Sequence, residues 1–303
     1  MLLRFLCAAC AIFLSAMPLQ AINIVFDYRY DTNGFFTSNP NAKVDLEAAG
    51  QFFDSLLTDS LSAITPTGSN TWSAVFTNPA TGSSTSVDNL SIAANEILIF
   101  VGGASLTGST LGEGGPGGYS DSGTQTWLNT IAGRGQAGAL AASPTDYGPW
   151  GGMAQFNSSA TWYFDPNPAT KESFTGNDFY SVALHEIGHV LGIGTANSWN
   201  TDVASGKFTG ANAKAQNGGA AVSLSADLAH WANGTMSTIY GTSAAQEAAM
   251  DPSLTTGTRK LFTTLDVAGL RDVGWTVVPE PSSAMLFAGF ALVAVSRRNR
   301  HRR

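Results

Sequence analysis

Leu184-His185-Glu186-Ile187-Gly188-His189-Val190-Leu191-Gly192-Ile193-Gly194 is the stretch that most restricts what this chain can fold into. His185 and His189 are four residues apart, so on a helix they project from one face, one turn apart, and can share a metal ion. Glu186 sits beside that face and can take a proton from water activated there. The apolar residues around them predict a helix over 178–192, with Asp178 as its N-cap and Gly192 as its stop. Catalytic zinc takes three protein ligands and keeps a fourth position open. The fold must therefore bring a third ligand to this helix from elsewhere in the chain.

Both ends of the chain read as addresses. Residues 1–21 hold an early Arg4, an apolar stretch over 5–17, the helix-breaking Pro18 and a small residue, Ala21. This is the layout of a secretory signal peptide. Cys7 and Cys10, the two cysteines of the chain, both fall inside it, so the exported protein carries no disulfide. At the other end, Val278-Pro279-Glu280-Pro281 precedes an apolar run over 284–295, and then Ser-Arg-Arg-Asn-Arg-His-Arg-Arg. About a dozen apolar residues fall short of the roughly 20 that span a bilayer as a helix, and the arginines hold the end on the cytoplasmic side. The arrangement resembles the PEP-CTERM sorting signal of Gram-negative bacteria. That resemblance implies an exosortase-type processing enzyme as partner, a transient membrane contact through a transmembrane-like segment, and delivery to the cell surface or extracellular matrix. The expected division is a signal peptide at 1–21, a catalytic body at 22–278 and a sorting segment at 279–303.

Charge narrows the partners. Only 12% of the residues are charged, against about 25% in typical globular chains. Between Ile22 and Pro281 lie nine Lys and Arg against all 22 Asp and Glu, a charge of −13. An acidic body does not suit phosphate contacts, so nucleic acid is excluded as a partner. Within it, 22–28 and 96–101 read as strands, 41–61 as a helix with Val44, Ala48, Phe52, Leu56 and Leu57 on one face, and 65–86 as a hairpin or loop. The glycine-rich 112–123 reads as a surface loop; it has no phosphate-loop context. Strands follow at 152–157 and 161–164. The expected fold class is α+β, one domain built on a twisted mixed sheet with a long early helix and the HExxH helix.

Histidines are scarce: His185, His189, His230 and His301 are all there are, and His301 belongs to the sorting segment. His230, in Ala-Asp-Leu-Ala-His-Trp, is thus the remaining imidazole of the body, and Asp202 is the alternative third ligand. No Glu occurs over 190–226, which removes a helix-borne glutamate ligand.

The segment His185–Gly194 resembles the metzincin signature HExxHxxGxxH, with Thr195 where the third histidine would stand. That departure is ordinary in leishmanolysin-like enzymes, where an insertion delays the third histidine. Here His230-Trp231, then Ala249-Met250-Asp251-Pro252, then a closing segment ending at Trp275 follow in that order. The resemblance implies a metzincin-like zincin fold, one catalytic Zn2+ held by His185, His189 and His230, and Glu186 as general base of a secreted endopeptidase acting on proteins or peptides. It also implies Met250 as an apolar floor beneath the metal, with Met236 competing for that place, and Tyr240 as a phenol stabilising the transition state. Such folds also admit structural Ca2+, which no clean Asp/Asn loop indicates here. The alternative function is a catalytically silent matrix or adhesion protein on the same fold.

Overall fold

The computed structural model describes residues 22–170 and 172–278; the signal-peptide, sorting and membrane-contact readings fall outside the described residues. Among the described residues no helix is long and apolar enough to cross a membrane.

β1 (Asn23–Asp27) opens the fold, followed by a single turn, α1 (Phe35–Ser38), and by α2 (Pro40–Leu56). Pro40 starts α2 because its missing N–H would have no partner in the first turn anyway. β2 (Thr71–Thr77) and β3 (Ser84–Asp88) make a hairpin; β4 (Glu96–Ala104), β5 (Gly112–Pro116), β6 (Gly118–Ser122) and α3 (Gln125–Gly133) come next. β7 (Gly151–Asn157), the short β8 (Trp162–Tyr163) and β9 (Asn177–Asp178) lead into α4 (Phe179–Val190). Beyond it lie α5 (Asn197–Thr201), β10 (Val203–Ala204), β11 (Lys207–Phe208), α6 (Ala211–Gln216) and β12 (Val222–Ser223). β13 (Met236–Thr238), β14 (Ala245–Glu247) and α7 (Thr264–Val273) complete the chain.

The main sheet runs β1-β4-β7-β5. β4 lies parallel to β1 and β7, while β5 is antiparallel to β7, so the sheet is mixed and the fold α+β. β4 is apolar along its length because both of its faces are covered. Ile97, Ile99 and Val101 join Leu46 and Phe53 of α2 and Ile187 of α4 in the larger core. Leu98 and Phe100 point the other way, onto Trp72 and Phe76 of the β3-β2-β6 sheet and Trp150.

Two sequence expectations need correction. The buried face of α2 carries Ala42, Asp45, Leu46, Ala49, Gly50, Phe53 and Leu56, while Val44 is 41% exposed. The helix is rotated because Gly50 packs on the Phe26 ring and the buried Asp45 carboxyl accepts from Asp165 N, two contacts that an apolar count misses. The second correction is 112–123. It is no loop but β5 and β6, with β5 the edge strand of the main sheet lying on α4. Glycine is needed there: a Cβ at Gly112 would stand 2.7 Å from Glu186 Oε1, and one at Gly114 2.5 Å from the Glu186 carbonyl oxygen.

The body does not stop at Trp275. Thr276 O accepts from Thr58 N, Val277 bridges Leu57, and Val278 N donates to Leu56 O. Ile22, 1% exposed, donates its N–H to Leu57 O, so both ends of the described body are fastened at one corner.

Candidate metal centre

α4 is held in place before it offers any chemistry. Asp178 caps it, its carboxylate accepting from Ser181 N at 3.2 Å and from Ser181 Oγ at 2.5 Å. An anion at a helix N-terminus is also favoured by the helix dipole. Arg259 reaches the same carboxylate through Nε at 2.9 Å and Nη2 at 2.8 Å, and Asp165 Oδ2 through Nη2 at 2.8 Å. At the other end, Gly192 N donates to His189 O and Ile193 N to Gly188 O. These two bonds form a Schellman stop, with Gly192 at φ 103° in the region that suits glycine.

The three body histidines meet above this helix. Nε2 of His189 lies 3.0 Å from Nε2 of His185 and 3.0 Å from Nε2 of His230; the remaining pair is 3.1 Å apart. Each Nδ1 is already engaged. His185 Nδ1 donates to Ala249 O, His189 Nδ1 to Ile193 O and His230 Nδ1 to Asp227 Oδ2, each at 2.8 Å. A carbonyl oxygen can only accept, so the Nδ1 atoms of His185 and His189 carry the hydrogens. Burial, with the neighbouring histidines adding to it, pushes the pKa of His185 down to about 4 and that of His189 well below the ordinary value. Both rings are therefore neutral, and their Nε2 atoms present bare lone pairs to each other. Lone pairs about 3 Å apart repel unless a cation lies between them. The donor set and spacing fit a zinc ion, whose bonds to histidine nitrogen are about 2.0–2.1 Å. Among the described residues this is the cluster able to hold a metal.

The floor beneath comes from the segment after β14. Met250 is fully buried, and a Cβ at Gly188 would stand 2.6 Å from its Sδ. Gly188, between the two helix ligands, thus leaves room for the thioether. Met236 is 61% exposed on β13 and takes no part. Asp266 organises this floor from within α7: it accepts from Ala249 N, Met250 N, Trp231 Nε1, Thr263 N and Thr263 Oγ1. The residue whose carbonyl steers His185 and the residue next to His230 therefore hang on one buried carboxylate.

Glu186 is 5% exposed and lines a cleft of about 940 Å³ together with the three histidines. Burial, then the charge of Glu113, lifts its pKa to about 8 against the opposing hydrogen bond from Gly114. The cleft is also lined by residues 106 and 108–114, which run into β5, and by 251–254 and Thr256.

Two expected residues lie elsewhere. Tyr240 does not reach the cleft: its hydroxyl donates to Val278 O at 2.8 Å and its ring packs on the core, which corrects its reading as a transition-state phenol. Asp202 is also absent from the cleft; its carbonyl accepts from Thr209 N and Oγ1. Thr195 does line the cleft, and its Oγ1 donates to His189 O at 2.6 Å instead of offering a ligand. Sequence reasoning missed Gly188, Asp227 and Asp266. A glycine inside a helix costs about 1 kcal/mol relative to alanine, and that cost was the readable signal for Gly188. Asp227, three residues before His230, and Asp266, three after Thr263 as in a capping box, carried weaker ones.

Residues 122–201 match the family model Matrixin, and residues 277–303 match the PEP-CTERM protein-sorting motif. The first match takes in α4 with His185, Glu186 and His189, and ends before His230. No curated protein and no solved structure gives a significant match to the chain. Around its HExxH helix the chain is thus similar to matrixins, a metzincin-type family, and its end matches a PEP-CTERM sorting motif.

Proposed function

We propose that this protein is a zinc-dependent endopeptidase delivered to the bacterial surface or extracellular matrix. The observation that carries the reading is the convergence of three imidazole Nε2 atoms beside Glu186 in an open cleft. His185, His189 and His230 would hold the ion. When bound, zinc supplies Lewis-acid polarisation of a carbonyl and lowers the pKa of water.

The remaining work belongs to the chain. An extended peptide pairs along the free edge of β5, which presents backbone rather than side chains at Gly112, Gly114 and Gly115. That places its scissile carbonyl over α4. Glu186, in the ionised form that a cation at the three histidines would favour, takes the proton of the attacking water and hands it to the leaving amine nitrogen. Met250 and Gly188 keep the space beneath the ligands apolar and filled. The late third histidine, 41 residues after His189, favours the leishmanolysin-like arrangement over the compact signature. An exosortase-type enzyme processes the C-terminal segment, whose apolar run makes the transient membrane contact.

Metal analysis of the purified body followed by a casein and peptide-library assay tests this reading. One equivalent of zinc and chelator-sensitive cleavage are expected. A zinc-loaded protein that cleaves nothing would leave the silent surface protein as the better description.

A further inference from the structure

The three ligands are not oriented alike. Behind His185 and His189 stand backbone carbonyls, Ala249 O and Ile193 O, fixed by the Met250 turn and the end of α4. Behind His230 stands a side chain, Asp227, whose Oδ2 accepts from Nδ1 at 2.8 Å. Its Oδ1 accepts from Ala229 N at 2.9 Å and from Ser225 Oγ at 2.8 Å, so the carboxylate is aimed at the ring by its own turn.

The backbone on either side of His230 is clamped separately. Trp199 Nε1 donates to Leu228 O at 3.0 Å, Trp231 N to Met250 O at 3.0 Å, and Trp231 Nε1 to Asp266 Oδ1 at 2.8 Å. These clamps place the main chain but leave the imidazole free to rotate about its own bonds. A rotated or Nε2-protonated ring would offer no lone pair to the centre. The His230 side chain is 19% exposed and that of Asp227 50%, so packing alone does not prevent this.

We infer that Asp227 is the positioning residue of the third zinc ligand: it holds the His230 ring in the Nδ1–H form, aims Nε2 at the centre and adds a negative charge behind the ligand. The inference rests on the zinc reading given above. Carboxylates behind metal-binding imidazoles raise ligand basicity, and their loss commonly lowers metal affinity 10–100-fold. A carboxylate acceptor is also stronger than a neutral carbonyl. The chain uses it at the one ligand that does not come from α4.

The test is zinc affinity by competition with a chromophoric chelator, on the full body and without any substrate. Asp227→Ala should weaken zinc binding by about 10–100-fold. Asp227→Asn keeps one acceptor, for the ring or for the turn but not both, and loses the charge, so it should fall between that variant and the parent. Ser225→Ala, which removes a bond to Asp227 without touching the ring, should stay within about threefold of the parent. Apo-protein melting temperatures should be nearly unchanged by Asp227→Asn, since an exposed pair contributes little to folding. If Asp227→Ala and Asp227→Asn bind zinc as tightly as a tight-binding parent, the positioning role is wrong and the metal centre stands. If the parent itself binds no zinc, both fall.

Discussion

α4 and the segment 225–231 each bring imidazole to the same point, and they do so by opposite means. α4 is specified locally: a capping aspartate, an i, i+4 pair, and a glycine stop after one more turn. Residues 225–231 lie outside the named helices and strands; only isolated β-bridge pairing at Leu224 and Trp231 touches them. The second ligand source is held by Trp199, Asp266, Met250 and Asp227, which lie far apart in the chain except for the last. A ligand carried by a helix is as stable as the helix, whereas one carried by an irregular segment depends on every clamp that reaches it. Damage should therefore spread differently from the two sides.

The largest effect is expected on the irregular side. Asp266→Ala strips a fully buried carboxylate from five donors, of which Ala249 N, Met250 N and Trp231 Nε1 would be left buried without a partner. Each orphaned buried donor costs about 1–3 kcal/mol, so a loss of ~4 kcal/mol in unfolding free energy is expected in a denaturant titration. Zinc affinity should fall with it, because the Met250 floor and Trp231 move together. Intact zinc binding in a destabilised Asp266→Ala protein would mean that His230 is placed without the floor.

On the helical side the same chemistry can be removed without harming the scaffold. Glu186→Gln keeps the size and burial of the side chain and leaves the ligands untouched. Turnover of a reporter peptide should drop about 100-fold or more, the usual scale for a lost general base, with zinc content and melting temperature preserved. Residual activity above a tenth of the parent in metal-loaded protein would remove Glu186 from its role.

What could be read in the chain follows the same division. The cap, periodicity and stop of α4 lie within fifteen residues, so residue types alone expose them. His230 was legible by scarcity, as the one body imidazole left over, and by the resemblance carried by the order His230-Trp231, Met250, Trp275; no local periodicity announced it. Tyr240 was misplaced because its position depends on Val278, 38 residues away. β5 was read as a loop because glycine usually marks turns. Its glycines answer instead to the closeness of Glu186, a contact that exists only after folding. The phase of α2 was lost for a related reason: a buried polar group, the Asp45 carboxyl, sits where the pattern wanted an apolar residue.

Asp45 also gives the α4 side a dependence on pH. Its Oδ2 accepts from Asp165 N at 2.9 Å, and its Oδ1 has no partner among the described residues. Burial, reinforced by Asp178 and Asp165, raises its pKa to about 8 from an ordinary 3.8. Between those values the folded state holds a proton that the unfolded state has released, so this group's contribution to stability falls as pH rises from about 4 to about 8. Asparagine cannot ionise and keeps an acceptor for Asp165 N. Asp45→Asn should therefore match the parent near pH 4 and exceed it by ~2 kcal/mol at pH 8, in line with a raised buried carboxylate. Melting curves across that range check it; a constant difference at all pH values would show that Asp45 is not the titrating group.

The smallest effect sharpens the comparison most. Trp199 is fully buried, stacked on Phe208 with ring centroids 4.0 Å apart and tilted against Trp231 at 5.0 Å. Trp199→Phe keeps an aromatic ring there but removes the donor to Leu228 O. One neutral hydrogen bond and a small volume deficit amount to ~1–2 kcal/mol, read as a lower melting temperature. If the 225–231 segment depends on each of its clamps, zinc affinity should also weaken, by about threefold, since 1.4 kcal/mol is a factor of ten and only part of the loss reaches the ligand. Had the same bond been lost on α4, the helix would have absorbed it, because its ligands are set by many backbone bonds at once. A Trp199→Phe protein with a lower melting temperature and unaltered zinc affinity would show that Asp227, Trp231 and Asp266 alone hold His230. The irregular segment would then be as rigid at its ligand as the helix is at its own.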